Sequence, residues 1–148
     1  MSADELKRLS ELRVQSASAL EWIANLPKSH RESPAVCWNI GWSNAASAAD
    51  EASILEIAQA LSDELRQLDA PFLEPPVDLY CLGGEIIEHS MPTPKWLETR
   101  LAILPAILER HGLRIHGWAY EPRGCSAFKG RIPQAWCYRE TDLDTQPR

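Results

Sequence analysis

The apolar periodicity changes once along these 148 residues, and that change constrains the fold more than any other feature. Up to residue 69, leucine, isoleucine and alanine recur every three or four positions, the repeat of a helix that buries one stripe. Beyond the proline-rich stretch Asp69-Ala70-Pro71-Phe72-Leu73-Glu74-Pro75-Pro76, β-branched and aromatic residues come in short alternating runs, the repeat of a strand. A helical first half followed by strands around one further helix predicts an α+β domain, with an N-terminal helical hairpin packed on a small sheet.

The helices can be placed from their caps and stripes. Ser2-Ala3-Asp4-Glu5 has the hydroxyl and carboxylate of a capping box, and Leu6, Leu9, Leu12, Ala19, Leu20, Ile23 and Leu26 form a stripe. Pro27 ends this first helix, predicted over about 3–26. A second is predicted over about 44–69, capped by Ser43 or Asn44, with Ile54, Ile57, Ala58, Leu61, Leu65 and Leu68 facing the core. The third has Thr93 as N-cap, Pro94 at the first position and Gly112 just past its end. Its stripe is Leu97, Leu101, Leu104 and Leu108, with Pro105 as a kink in the middle.

Strands are predicted at 77–82, at 113–120 and at 135–139, with Gly83-Gly84 as a bulge or turn before Glu85-Ile86-Ile87-Glu88. The element order is then α-α-β-α-β-β. The segment Val36-Cys37-Trp38-Asn39-Ile40-Gly41-Trp42 lies among turn residues but is too apolar to stay in water, and is expected to fold back as a short strand or cap. The whole chain, 1–148, reads as one domain: a helical hairpin at about 3–69, a linker at 70–76, a βαββ part at 77–140 and a tail at 141–148.

Composition is ordinary for a globular protein, 45% hydrophobic and 24% charged. The acidic, polar start Met1-Ser2-Ala3-Asp4-Glu5 and the lack of any long apolar run imply a bacterial-type cytoplasmic chain with no membrane span. Cys37, Cys81, Cys125 and Cys137 form no paired motif, so they read as reduced thiols in a protein with no metal and no cofactor.

The net charge of −6 conceals an asymmetry. Residues 50–90 carry ten carboxylates against Arg66 alone, whereas residues 91–139 carry eight basic groups against three acidic ones. The acidic side of the second helix, Asp50, Glu51, Glu56 and Asp63, is the candidate docking face for a basic protein. The basic, aromatic end offers a second site, for nucleic acid. If 113–120 alternates throughout, Arg114, His116, Trp118 and Tyr120 share one sheet face, where bases could stack on the rings and phosphates meet Arg123 and Arg131. The third helix then belongs under the opposite face, and the first two helices are the elements available to cover the rings.

Catalytic constellations fare worse. Glu85, Glu88 and His89 match no zinc motif, and alternation points the carboxylates to opposite sides, so a solvated strand end explains them. His111, His116, Cys125 and Cys137 fit no recurrent finger spacing. Cys125, in a basic glycine-containing loop, is a conceivable thiolate. The leading expectation is therefore a non-catalytic interaction factor of inhibitor, immunity or accessory type. Nucleic-acid binding is second, and a small enzyme built on His116, Cys125 or Glu88 is third. No oligomeric state follows from the residues.

Overall fold

The computed structural model describes residues 2–43, 50–68 and 73–120, the backbone alone for 73–76. It is an α+β structure. Among the described residues three α-helices, α1 (Ala3–Ala24), α2 (Glu51–Gln67) and α3 (Pro94–Arg110), accompany four strands, β1 (Val36–Trp42), β2 (Leu73–Tyr80), β3 (Gly83–Glu88) and β4 (Leu113–Tyr120). The sheet runs β2-β3-β1-β4 and every neighbouring pair is antiparallel.

The helix ends follow the cap chemistry. Ser2 Oγ accepts from the Glu5 amide, and Thr93 Oγ1 from that of Trp96. Gly112, after α3, takes φ +73°, a conformation that costs glycine little. Helix α3 runs on past Pro105. For α2 the cap is Asp50, whose carboxylate accepts from the Ser53 amide at 2.8 Å, so this helix begins later than its alanine-rich approach predicts. Residues 44–49 lie outside the described residues.

Segment 36–42 is more than a cap. It is β1, the second strand from the β4 edge, paired to β3 on one side and β4 on the other. It therefore separates α1 from α2 in the chain order. Its sequence signal is weak for a physical reason: a strand covered on both faces shows no apolar–polar alternation, and six of its seven residues are buried. The stretch expected to be linker, 70–76, is partly strand, since β2 starts at Leu73. The predicted strand at 135–139 and the tail at 141–148 lie outside the described residues.

Register decides what faces what. Trp38 lies opposite Ile86 on β3 and Trp118 on β4, so these three share a face with Val36, Ile40 and Glu88. Between Asn39 and Ile40 the pairing with β4 slips, from Asn39–Gly117 to Ile40–Ile115. The extra residue in β4 turns the alternation over. Leu113 and Ile115 therefore join Trp118 and Tyr120 on the first face, and Arg114 falls opposite Gly41 on the second. The expected common face of Arg114, His116, Trp118 and Tyr120 does not exist.

The first face carries the core. Trp96 of α3 stacks on Trp38 with ring centres 5.2 Å apart and meets Trp118 edge-on at 5.2 Å. Trp118 Nε1 donates to Ser16 Oγ of α1 at 2.9 Å, and Tyr120 Oη to the His30 carbonyl at 2.6 Å. The third helix thus lies on the same side as Trp118, contrary to expectation, and α1 and α3 are the helices that reach its ring. Of the predicted stripe on α1, Leu6 alone is exposed.

Glu88 is the largest departure from the sequence reading. It is fully buried, where a solvated strand end was expected. Its Oε2 accepts from Trp38 Nε1, and its Oε1 from Trp96 Nε1 and Arg100 Nε, each at 2.7 Å. A buried carboxylate requires such compensation, and two indoles and a guanidinium provide it.

Both sheet edges are blunted. Edge strand β2 carries Pro75 and Pro76, which have no N–H to offer, and the Val77 amide is taken by Ser62 Oγ of α2 at 2.8 Å. On the other edge the Arg8 guanidinium donates to the Ile115 carbonyl at 2.7 Å.

Helix α2 is tied to the end of α3 by Glu64, which meets Arg110 and His111. Hydrogen bonds from Arg110 and then His111 hold the Glu64 carboxyl below its ordinary range. A carboxyl depressed in the folded state stabilises fully above its unfolded value of 4.5 and loses that contribution as pH falls through the folded value. Glu64→Gln is therefore expected to be less stable than the parent at pH 7 and to converge with it in acid. Urea midpoints between pH 3 and 7 check this; parallel curves would overturn it.

Candidate docking groove

The N-terminal turn of α2 and the hairpin joining β2 to β3 enclose a groove of about 440 Å³. Its walls are Asp50, Glu51, Ile54 and Leu55 from the helix side, and Leu79, Tyr80 and Cys81 from the sheet side. The hairpin is tight: Tyr80 pairs with Gly83 across a two-residue turn, Cys81-Leu82. Trp42 Nε1 donates to the Tyr80 carbonyl at 3.0 Å, pinning the hairpin to the end of β1. Asp50, bonded through both carboxylate oxygens to Ser53, fixes the helix end. The groove is thus formed before anything enters it.

The surface here is apolar and open. Leu55 is 64% exposed, Leu82 at the hairpin tip 82%, and Tyr80 36%. Leu55 lies off the buried stripe of α2, which is why it reaches water. Acidic groups surround these side chains. Burial first, and then the carboxylates of Glu85 and Asp78, push the Tyr80 phenol above its ordinary range. The Asp50 carboxyl is held low by its bonds to Ser53 and stays charged.

Of the four acids expected to act together on α2, the groove gathers Asp50 and Glu51. Glu56 and Asp63 are exposed but do not line it. Asp63 is also occupied, accepting from Gln59 at 2.9 Å and Arg66 at 3.0 Å. Leu55, Asp78, Tyr80 and Leu82 were missed as site residues. The available signal was Leu55 itself, a leucine outside the apolar stripe of an otherwise polar helix face.

The alternative nucleic-acid face is divided. Trp118 and Tyr120 are fully buried and present no ring to a base. Arg114 lies on the opposite face, and His116 lies against Gly41: a Cβ on Gly41 would stand 2.2 Å from His116 Nε2. Arg123 and Arg131 lie outside the described residues, as do Cys125 and Cys137. Among the described residues, no three His, Cys, Asp or Glu side chains gather as a metal site. Cys37 is buried and Cys81 is exposed. No described helix is long and apolar enough to cross a membrane.

No family model, no curated protein and no solved structure matches this chain.

Proposed function

We propose that this chain is a non-catalytic interaction protein, of inhibitor, immunity or accessory type, that docks a basic amphipathic segment of a partner protein in the groove between α2 and the β2–β3 hairpin. One observation carries the reading: Leu55 and Tyr80 line a preformed groove beside the exposed Leu82, and among the described residues the charges around it, Asp50, Glu51, Asp78 and Glu85, are negative. Exposed apolar side chains rimmed by polar groups mark interaction surfaces, and a rim of one sign selects a partner of the other. The exposed free thiol of Cys81 suits a reducing compartment such as the cytoplasm. Catalysis has less support, because Glu88, the best-placed carboxylate in sequence, is spent on indoles and Arg100 inside the core.

The test uses an amphipathic lysine–leucine helical peptide and maps its binding by amide NMR shifts. Perturbations are expected at residues 50–55 and 79–82, with affinity falling steeply as salt rises. The double variant Glu51→Lys, Leu55→Asp should fold and lose about tenfold or more in affinity, the loss of one apolar anchor and one charge reversal. Shifts centred elsewhere, or equal affinity in the folded double variant, would defeat the proposal. Alkylation of Cys81, followed by peptide mass analysis, should slow when the peptide is bound.

A further inference from the structure

A separate cleft of about 230 Å³ lies between α1 and β4, and it gathers basic groups from two elements. Arg8 stands on the helix wall. It is held there by Glu5, at 2.8 Å, and by the Ile115 carbonyl, at 2.7 Å, so the position of its guanidinium is fixed. Arg114 and His116 stand on the strand wall, and Glu11 and Gln15 are the other polar residues of the lining. The bulge in β4 creates this arrangement by placing Arg114 and His116 together at the edge instead of in line with Trp118 and Tyr120.

The two strand groups are incompletely satisfied. Arg114 Nε and His116 Nε2 are buried with no hydrogen-bond partner, and among the described residues Arg114 makes no ion pair. Nε2 is packed against Gly41, which leaves Nδ1 as the ring nitrogen able to meet a ligand. Natural proteins rarely leave a buried guanidinium donor unused, and the orphaned Arg114 Nε calls for a cause. Like charges crowded at one cleft also oppose one another. Burial first, then Arg114 and Arg8, hold the His116 imidazole below its ordinary range, with Glu5 opposing them.

We propose that this cleft binds a small phosphate-type anion, gripped by Arg8 from α1 and by Arg114 and His116 from β4. The two walls can approach a tetrahedral anion from opposite sides, and guanidinium groups match its oxygens through paired N–H donors. A dianion also favours protonation of His116, which adds a third positive group on binding. The cleft has room for inorganic phosphate or for the phosphate of a small monoester.

Inorganic phosphate is titrated into the intact protein at constant ionic strength set by chloride, while the His116 ring protons are followed by NMR across pH 5–8. Phosphate is expected to raise the midpoint of His116 by about one unit, the effect of one opposed charge nearby. Acetate should leave it unmoved. Arg114→Gln should abolish the response, whereas Arg13→Gln, on the exposed pair with Glu98, should retain it. Tighter binding of glycerol phosphate than of inorganic phosphate would assign the site to a phosphorylated small molecule, and the reverse to free phosphate. An unmoved His116 in the parent, an equal response to acetate, or a full response in folded Arg114→Gln overturns the proposal. Should Arg114→Gln fail to fold, the parent titration and the acetate arm still decide. None of these outcomes touches the groove at α2, which lies on other elements.

Discussion

Glu88→Ala is expected to cost about 3–5 kcal/mol, because removing one partner from a buried charge network leaves the other partners buried and unpaired. Two indole N–H groups and the Arg100 guanidinium would lose their shared acceptor. A domain of this size holds only about 5–15 kcal/mol in total. At about 2–4 °C per kcal/mol for a chain near 150 residues, the melting temperature should fall by roughly 6–20 °C. Glu88→Gln separates charge from shape: it keeps the volume but presents an amide that can accept at one oxygen only. It should fall between parent and alanine variant. Thermal melts followed by circular dichroism measure both, and an alanine variant melting within a degree or two of the parent would show that the network contributes no stability.

Trp118→Ala is expected to be similarly severe, at about 3–5 kcal/mol, the usual cost of an indole-sized cavity in a packed core. Trp118 is fully buried, meets Trp96 edge-on and donates to Ser16. Trp118→Phe keeps an aromatic ring beside Trp96 but gives up the bond to Ser16, so it should recover more than half of the loss. Urea denaturation of the three proteins measures this. A Trp118→Ala protein as stable as its parent would mean that the ring is not buried between the sheet and α1. The losses in Glu88→Ala and Trp118→Ala should not add, since Trp96 touches both sites and relaxes in either variant.

Much of the architecture was legible in the residues, and the failures have identifiable causes. Ser2, Thr93, Pro94 and Gly112 mark helix ends through chemistry confined to one turn, so a local reading suffices. Strand β1 was obscured because both its faces are covered. The facing of β4 was misread past residue 116 because a bulge depends on the register of the partner strand, which one strand's sequence does not contain. Glu88 looked solvated because its compensation comes from residues at positions 38, 96 and 100. On α2, charge alone picked out four acids. Only the hairpin at 81–82, brought alongside by β2, distinguishes Asp50 and Glu51 from Glu56 and Asp63.

The packing of His116 on Gly41 carries a consequence for how this sequence can drift. Any side chain at position 41 would meet the imidazole ring, with the new Cβ 2.2 Å from Nε2, so the ring would have to leave this position. The two positions are therefore coupled: glycine at 41 is what lets the histidine at 116 hold this rotamer. A chain that acquires alanine or serine at 41 must turn the imidazole away or exchange the histidine for something smaller. Paired substitution at 41 and 116, far apart in the chain but adjacent across the sheet, is the signature by which a distant relative of this protein could be recognised.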